Sequence, residues 1–174
     1  GAVGTTGAAP SARFGHTAVA WTDAASSGAA KMTIFGGSPG LNDVHTLNLV
    51  TNTWSGDVST MGVKPPWRSY YTAVAWTDAT VSGAAKMTIF GGVASGTSLN
   101  DVHTLNLATN TWSGAVSTTG AAPSARIAHT AVVWTDAASG AAKMTIFGGV
   151  DVNSDMLNDV HTLNLATNTW SGAV

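Results

Sequence analysis

The chain contains no cysteine, no glutamate and no apolar run close to the 18 residues that a membrane-crossing helix needs. Without cysteine there is no disulfide framework, no thiolate metal site and no thiol nucleophile. Charge is scarce as well: seven lysines and arginines stand against nine acidic residues, for a net charge of -2. Nucleic acid is usually met by a basic stripe, and an anionic membrane surface by a polybasic amphipathic segment. The sequence has neither, so neither is an expected partner. It also lacks a glycine-rich phosphate loop, a Ser/His/Asp arrangement in a supporting context, and paired carboxylates flanking a cleft. No catalytic residue, cofactor or metal is therefore assigned, and the chain reads as a non-enzyme. No signal peptide is visible, and Gly1 in place of Met points to a processed or tag-cleaved start. Nothing in the composition selects a cellular compartment.

What the sequence does have is a repeat. Trp54, Trp112 and Trp170 are spaced by 58 and 58 residues, and Phe35, Phe90 and Phe147 by 55 and 57. Arg13, Arg68 and Arg126 open the three units, and Asp43, Asp101 and Asp159 stand in their second halves. The glycine pairs Gly36-Gly37, Gly91-Gly92 and Gly148-Gly149 follow the three phenylalanines. Three units of about 58 residues account for all 174, with expected boundaries at 1–58, 59–116 and 117–174. Gly1-Ala2-Val3 duplicates Gly172-Ala173-Val174, so both ends stand at one phase of the repeat.

Within the first unit four short strands are legible: 16–22 ending near Trp21, 31–35 cut by Gly36-Gly37, 44–49, and 53–58 carrying Trp54. The third alternates Val/Leu/Leu against His/Thr/Asn, the period of a strand with one buried face. Thr51-Asn52 supplies the turn into the fourth. No segment keeps a 3.6-residue period over eleven residues, so the expected class is all-β.

Four landmarks recur in fixed order: Arg-x-x-His at the first strand, a hydrophobic strand ending in Gly-Gly, Asn-Asp-Val before the third, and Trp in the fourth. Together they resemble the kelch repeat, over all three units. The resemblance implies a β-propeller with one four-stranded blade per repeat, the first strand nearest the axis and the tryptophan strand outermost. The propeller of this family also occurs in a copper oxidase resembling galactose oxidase. That chemistry requires cysteine, so the resemblance does not carry it here. Propellers close with roughly 4–8 blades, and three fall short. A blade cannot bury its apolar face alone, so the expected assembly is a homodimer: two three-bladed chains in one six-bladed ring. Residues 104–116 recur unchanged at 162–174, which points to recent duplication or to an engineered or reconstructed repeat protein.

Two functions of different kind follow. The first is a self-assembling scaffold without catalysis, whose partner is another copy of itself. The second is a protein-, peptide- or carbohydrate-binding module using the loop face around the channel. For the second, the resemblance places Arg13, Arg68 and Arg126 on the face formed by the fourth-to-first and second-to-third connections. There they either cradle an anionic group or lock adjacent blades by pairing with a nearby aspartate or backbone carbonyl. Lys64, Trp67, Tyr70 and Tyr71 break the symmetry at the same connection and would add an aromatic platform. His16 and His129 are matched by Tyr71, which suits a structural hydrogen bond better than a metal ligand or catalytic base. The three repeat aspartates are expected to accept backbone N–H groups at the loop before the third strand. Asp151-Val-Asn-Ser-Asp155 opens like a calcium loop. Met156 replaces the required glycine and Thr162 the closing glutamate, so it reads as a solvated polar loop.

Overall fold

The structure, a computed structural model, describes residues 3–81 and 83–172; the Gly-Ala-Val duplication at the two ends lies largely outside them. Three β-sheets follow one another along the chain. The first contains β1 (Thr6–Ala8), β2 (Thr17–Asp23), β3 (Ala29–Gly37), β4 (Leu41–Asn48) and β5 (Thr53–Asp57). The second contains β6 (Met61–Val63), β7 (Thr72–Asp78), β8 (Ala84–Ala94), β9 (Thr97–Asn106) and β10 (Thr111–Ala115). The third contains β11 (Thr119–Ala121), β12 (Arg126–Ile127), β13 (Thr130–Thr135), β14 (Ala142–Asp151), β15 (Met156–Asn164) and β16 (Thr169–Ser171). Among the described residues the one helical element is a single 3-10 turn, Ala24–Ser26.

Four antiparallel strands form the body of each sheet, as the alternation of apolar residues requires. The four-stranded expectation needs correction at the outer edge. There, β1, β6 and β11 each add a short strand, parallel to β5, β10 and β16. The physical reason is a glycine: Gly7, Gly62 and Gly120 sit at φ +76 to +78°, facing Trp54, Trp112 and Trp170. A Cβ there would fall inside the tryptophan carbonyl oxygen, so only glycine lets the two backbones approach.

The second correction concerns Gly36-Gly37. It does not cut the strand but bulges it: β3 runs on to Gly37, and the register slips between Phe35 and Gly37. The same slip recurs at Phe90/Gly92 and Phe147/Gly149.

Neighbouring sheets meet through β2 against β7 and β7 against β13. Two cores fill the gaps. Val19, Phe35 and Val44 of the first sheet pack on Tyr71, Met87, Ile89, Leu105, Leu107 and Trp112 of the second. Val74, Trp76, Phe90 and Val102 of the second pack on Met144, Ile146, Leu163, Leu165 and Trp170 of the third. Phe35 and Phe90 lie 4.9 and 5.2 Å from the rings of Trp112 and Trp170, so these two tryptophans each seal the sheet before their own.

Candidate ligand-binding face

The segments that lead into β2, β7 and β13 converge at one end of the sheets. Each carries an arginine. Arg13 donates to both oxygens of Asp43 at 2.6 and 2.8 Å, and to the Gly36 carbonyl at 3.0 Å. Arg68 repeats this with Asp101 and Gly91 at 2.7, 2.8 and 3.0 Å, and Arg126 with Asp159 and Gly148 at 2.6, 2.8 and 3.0 Å. His45, His103 and His161 complete the clusters, with Nε2 at 2.8–2.9 Å from the second carboxylate oxygen.

The arginines are therefore spent inside their own blades, and their side chains keep 0–3% of their surface. They pair with aspartate and carbonyl groups of the same blade, which is neither a lock between adjacent blades nor a cradle held out to solvent. The aspartates also differ from expectation. They accept from guanidinium and imidazole groups, a charge-assisted bidentate pairing stronger than a turn hydrogen bond. Arg13, and then His45, hold the Asp43 carboxyl down to about 2 against the opposing effect of burial. At Asp101 burial pushes upward, but Arg68 and His103 outweigh it and the net shift is downward. Arg126 lowers Asp159 in the same sense.

The symmetry-breaking aromatics separate. Tyr71 is buried, and its hydroxyl donates to the Phe35 carbonyl of the preceding blade. Burial pushes that hydroxyl up to about 12, so it stays a donor. Tyr70, one position earlier, is 44% exposed with φ +56°, and its ring meets Phe14 edge-on at 6.3 Å. Phe14 is itself 58% exposed. Trp67 and Lys64 are half-buried on the same connection. Phe14, Tyr70, Trp67 and Lys64 thus keep accessible surface on this face, whereas Tyr71 and the three arginine side chains are buried. Phe14 was not singled out from sequence. Its equivalents are Ser69 and Ile127, so the repeat pattern gives no sign of it.

Other polar groups are internal. His129 Nε2 lies 2.7 Å from the Thr72 hydroxyl. Burial, and then the Arg126 guanidinium, hold its imidazole down to about 4. At the opposite end of the strands, Lys31, Lys86 and Lys143 pair with Asp23, Asp78 and Asp136 and lie 5.2–5.4 Å over Trp21, Trp76 and Trp134. Sequence reasoning passed over these three clusters, although the spacing of the aspartates and lysines contains them. A groove of about 580 Å³ opens there between the second and third sheets, bordered by Trp76, Lys86, Trp112, Leu165 and Asn168. It lies away from the exposed aromatics, and its wall is repeat scaffold. The Asp151 loop is closed by its own side chain, which accepts from the Asn153 and Asp155 N–H groups at 2.8 and 3.0 Å. Among the described residues no group of three potential ligands is placed to hold a metal, and no helix is long and apolar enough to cross a membrane.

Repeated antiparallel sheets that pack face to face through tryptophan, with one Arg–Asp–His cluster each, define a β-propeller repeat domain. Comparison with known proteins gives the family. The chain belongs to the kelch-repeat family, for the KLHDC2/KLHL20/DRC7 Kelch-repeats domain matches residues 2–173. Kelch-repeat domains are generally non-catalytic protein-interaction modules. The chain is 36% identical to Kelch domain-containing protein 1 of Mus musculus over 74% of its own length and 29% of that protein's. It is 34% identical to Acyl-CoA-binding domain-containing protein 4 of Arabidopsis thaliana over 80% of its length and 19% of that protein's. Among solved structures, that of YjhT superimposes with a TM-score of 0.63 at 17% identity, over 94% of this chain and 52% of that one. The chain thus spans less than a third of these curated relatives and about half of the solved neighbour.

Proposed function

We propose that this chain is a non-catalytic kelch binding module that takes a protein or peptide ligand on the face where β2, β7 and β13 begin. The observation that carries this is the exposed Phe14–Tyr70 pair, with Trp67 and Lys64 beside it. Large aromatic rings held by a rigid scaffold supply contact area at low entropic cost, and a nearby lysine adds a polar anchor. The kelch family assignment supports the same class of function.

A random peptide library selected on the immobilised protein tests the proposal. Enriched peptides should lose at least tenfold in affinity for a Phe14→Ala/Tyr70→Ala variant that keeps the parent's urea midpoint. Peptides that bind parent and variant alike would place the ligand elsewhere. A carbohydrate ligand is the other outcome of this test, shown by glycan-array binding that the same variant abolishes.

A second reading has its own observation. On the third blade Val132, Trp134 and Phe147 are exposed, and on the first Leu49 is exposed and Met32 and Trp54 are half-buried, whereas their equivalents are more deeply buried at the two internal junctions. On this reading two chains close one six-bladed ring, and each ring presents the Phe14–Tyr70 pair twice. The overlay on about half of a solved chain supports a ring of twice this size.

A further inference from the structure

On the two-chain reading, we infer that the junction is head-to-tail: the third blade's bare face receives the first blade of a second copy, with His16 as the polar key. Three independent features of the internal junctions specify it.

The first is side-chain packing. Phe147 is 52% exposed, whereas its equivalents Phe35 and Phe90 are fully buried. Val132 is 60% exposed against 6% and 5% for Val19 and Val74. On the first blade, Leu49 is 41% exposed against 5% for Leu107 and Leu165, and Trp54 is half-buried where Trp112 and Trp170 are sealed. The third blade thus exposes the Val/Trp/Phe surface of the leading side of a junction, and the first, whose Ile34 and Leu47 stay buried, exposes Leu49 and part of Met32 and Trp54 from the trailing side. The two faces match each other, and neither matches itself, so the contact is between unlike faces.

The second is a run of backbone hydrogen bonds at the start of the inner strands. Tyr70 N–H donates to the Gly15 carbonyl at 2.9 Å, and Ala128 N–H to the Tyr70 carbonyl at 3.0 Å. All three residues share positive φ, at 65°, 56° and 55°. The run ends with the Gly15 N–H at one side and the Ala128 carbonyl at the other. A second copy set head-to-tail joins these ends, donor to acceptor, and continues the pattern around the axis.

The third is a hook that each blade sends into the one before. Tyr71 reaches the Phe35 carbonyl, and His129 reaches the Thr72 hydroxyl. His16 holds the same position in the first blade and is exposed. In the inferred junction it meets Thr130 and the Phe147 carbonyl of the second copy.

The test uses two variants, Phe147→Asp and Leu49→Asp, each changing an exposed position on one face. Each alone should be monomeric by light scattering. Mixed at high concentration, they should regain a two-chain particle, because the mixture contains one intact pair of unlike faces. Recovery on mixing also shows that both variants fold. As a second measurement, His16→Cys/Thr130→Cys, in a chain with no other cysteine, should give a covalent two-chain product with a short bis-maleimide. A two-chain parent whose variants do not complement, and whose cysteines do not crosslink, overturns the head-to-tail junction and the closed ring, while two-chain association itself remains. Leu49→Asp that stays two-chain while Phe147→Asp does not would mean a junction of like faces, and also overturns it. A monomeric parent removes both.

Discussion

Replacing Arg68 by methionine isolates what the buried Arg–Asp–His cluster contributes. Arg68 has no exposed surface and makes three short bonds, two to Asp101 and one to the Gly91 carbonyl, tying the entry to β7 onto the bulge of β8 and the start of β9. Methionine keeps the apolar stem and removes all three. Asp101 is left with His103 alone, at 2.8 Å. Breaking a buried pair from one side costs about 3–5 kcal/mol, because the remaining charge stays desolvated. The Asp101 side chain keeps 30% of its exposure, so water recovers part of that loss. The expected cost is therefore about 3 kcal/mol. Equilibrium urea unfolding at one fixed protein concentration reads it as a lower midpoint with unchanged slope. Arg68→Met/Asp101→Leu should be less damaging than the sum of the single changes by roughly 1–2 kcal/mol, since no orphaned carboxylate remains. A loss below about 1 kcal/mol for Arg68→Met, at equal slope, would refute the idea that these clusters hold each blade's entry segment in place.

Three further outcomes follow from particular residues. His129 refuses in the fold a proton that the unfolded chain accepts at the ordinary value of 6.5, its own having fallen to about 4. Stability should therefore fall as pH drops from 6.5 towards 4, by up to roughly 3 kcal/mol from this group. His129→Tyr, which copies the second blade, should flatten the urea midpoint over that window, and an unchanged profile would contradict the assignment. The paired aspartates act lower: the stability Asp43 contributes is present above 3.8 and lost as pH falls towards about 2. Gly62→Ala should detach β6 and cost well over 1 kcal/mol, because its Cβ collides with the Trp112 carbonyl. Gly96→Ala, at φ +78° with nothing within 4 Å, should cost only the backbone strain of about 1 kcal/mol. Equal losses in thermal or urea unfolding would remove the close-approach argument.

Much of the fold was legible because its determinants repeat. Arginine, the glycine pair, aspartate and tryptophan recur at matched positions, and the β4 pattern shows its buried face directly. The outer parallel strand was not legible. Thr6–Ala8, Met61–Val63 and Thr119–Ala121 are exposed along their whole length, so they show no alternation, and what fixes them is a backbone contact about 47–50 residues away. The site was legible only in part. Tyr70 and Tyr71 are neighbours in sequence, yet one faces solvent and the other spans a junction, a division set by the positive φ of Tyr70. Phe14 meets Tyr70 across a blade boundary, a contact that no spacing within one repeat encodes. The partners of Asp43, Asp101 and Asp159 lie about 30 residues upstream, beyond the reach of a turn argument.

The most direct test of the assembly is the solution mass of the unsubstituted chain by light scattering across a dilution series. The 17.5 kDa chain should run at twice its mass over the upper part of the series, and its thermal stability should rise with concentration. A particle that stays at 17.5 kDa at every concentration, with Phe147 and Leu49 still accessible, would contradict closure by a second copy.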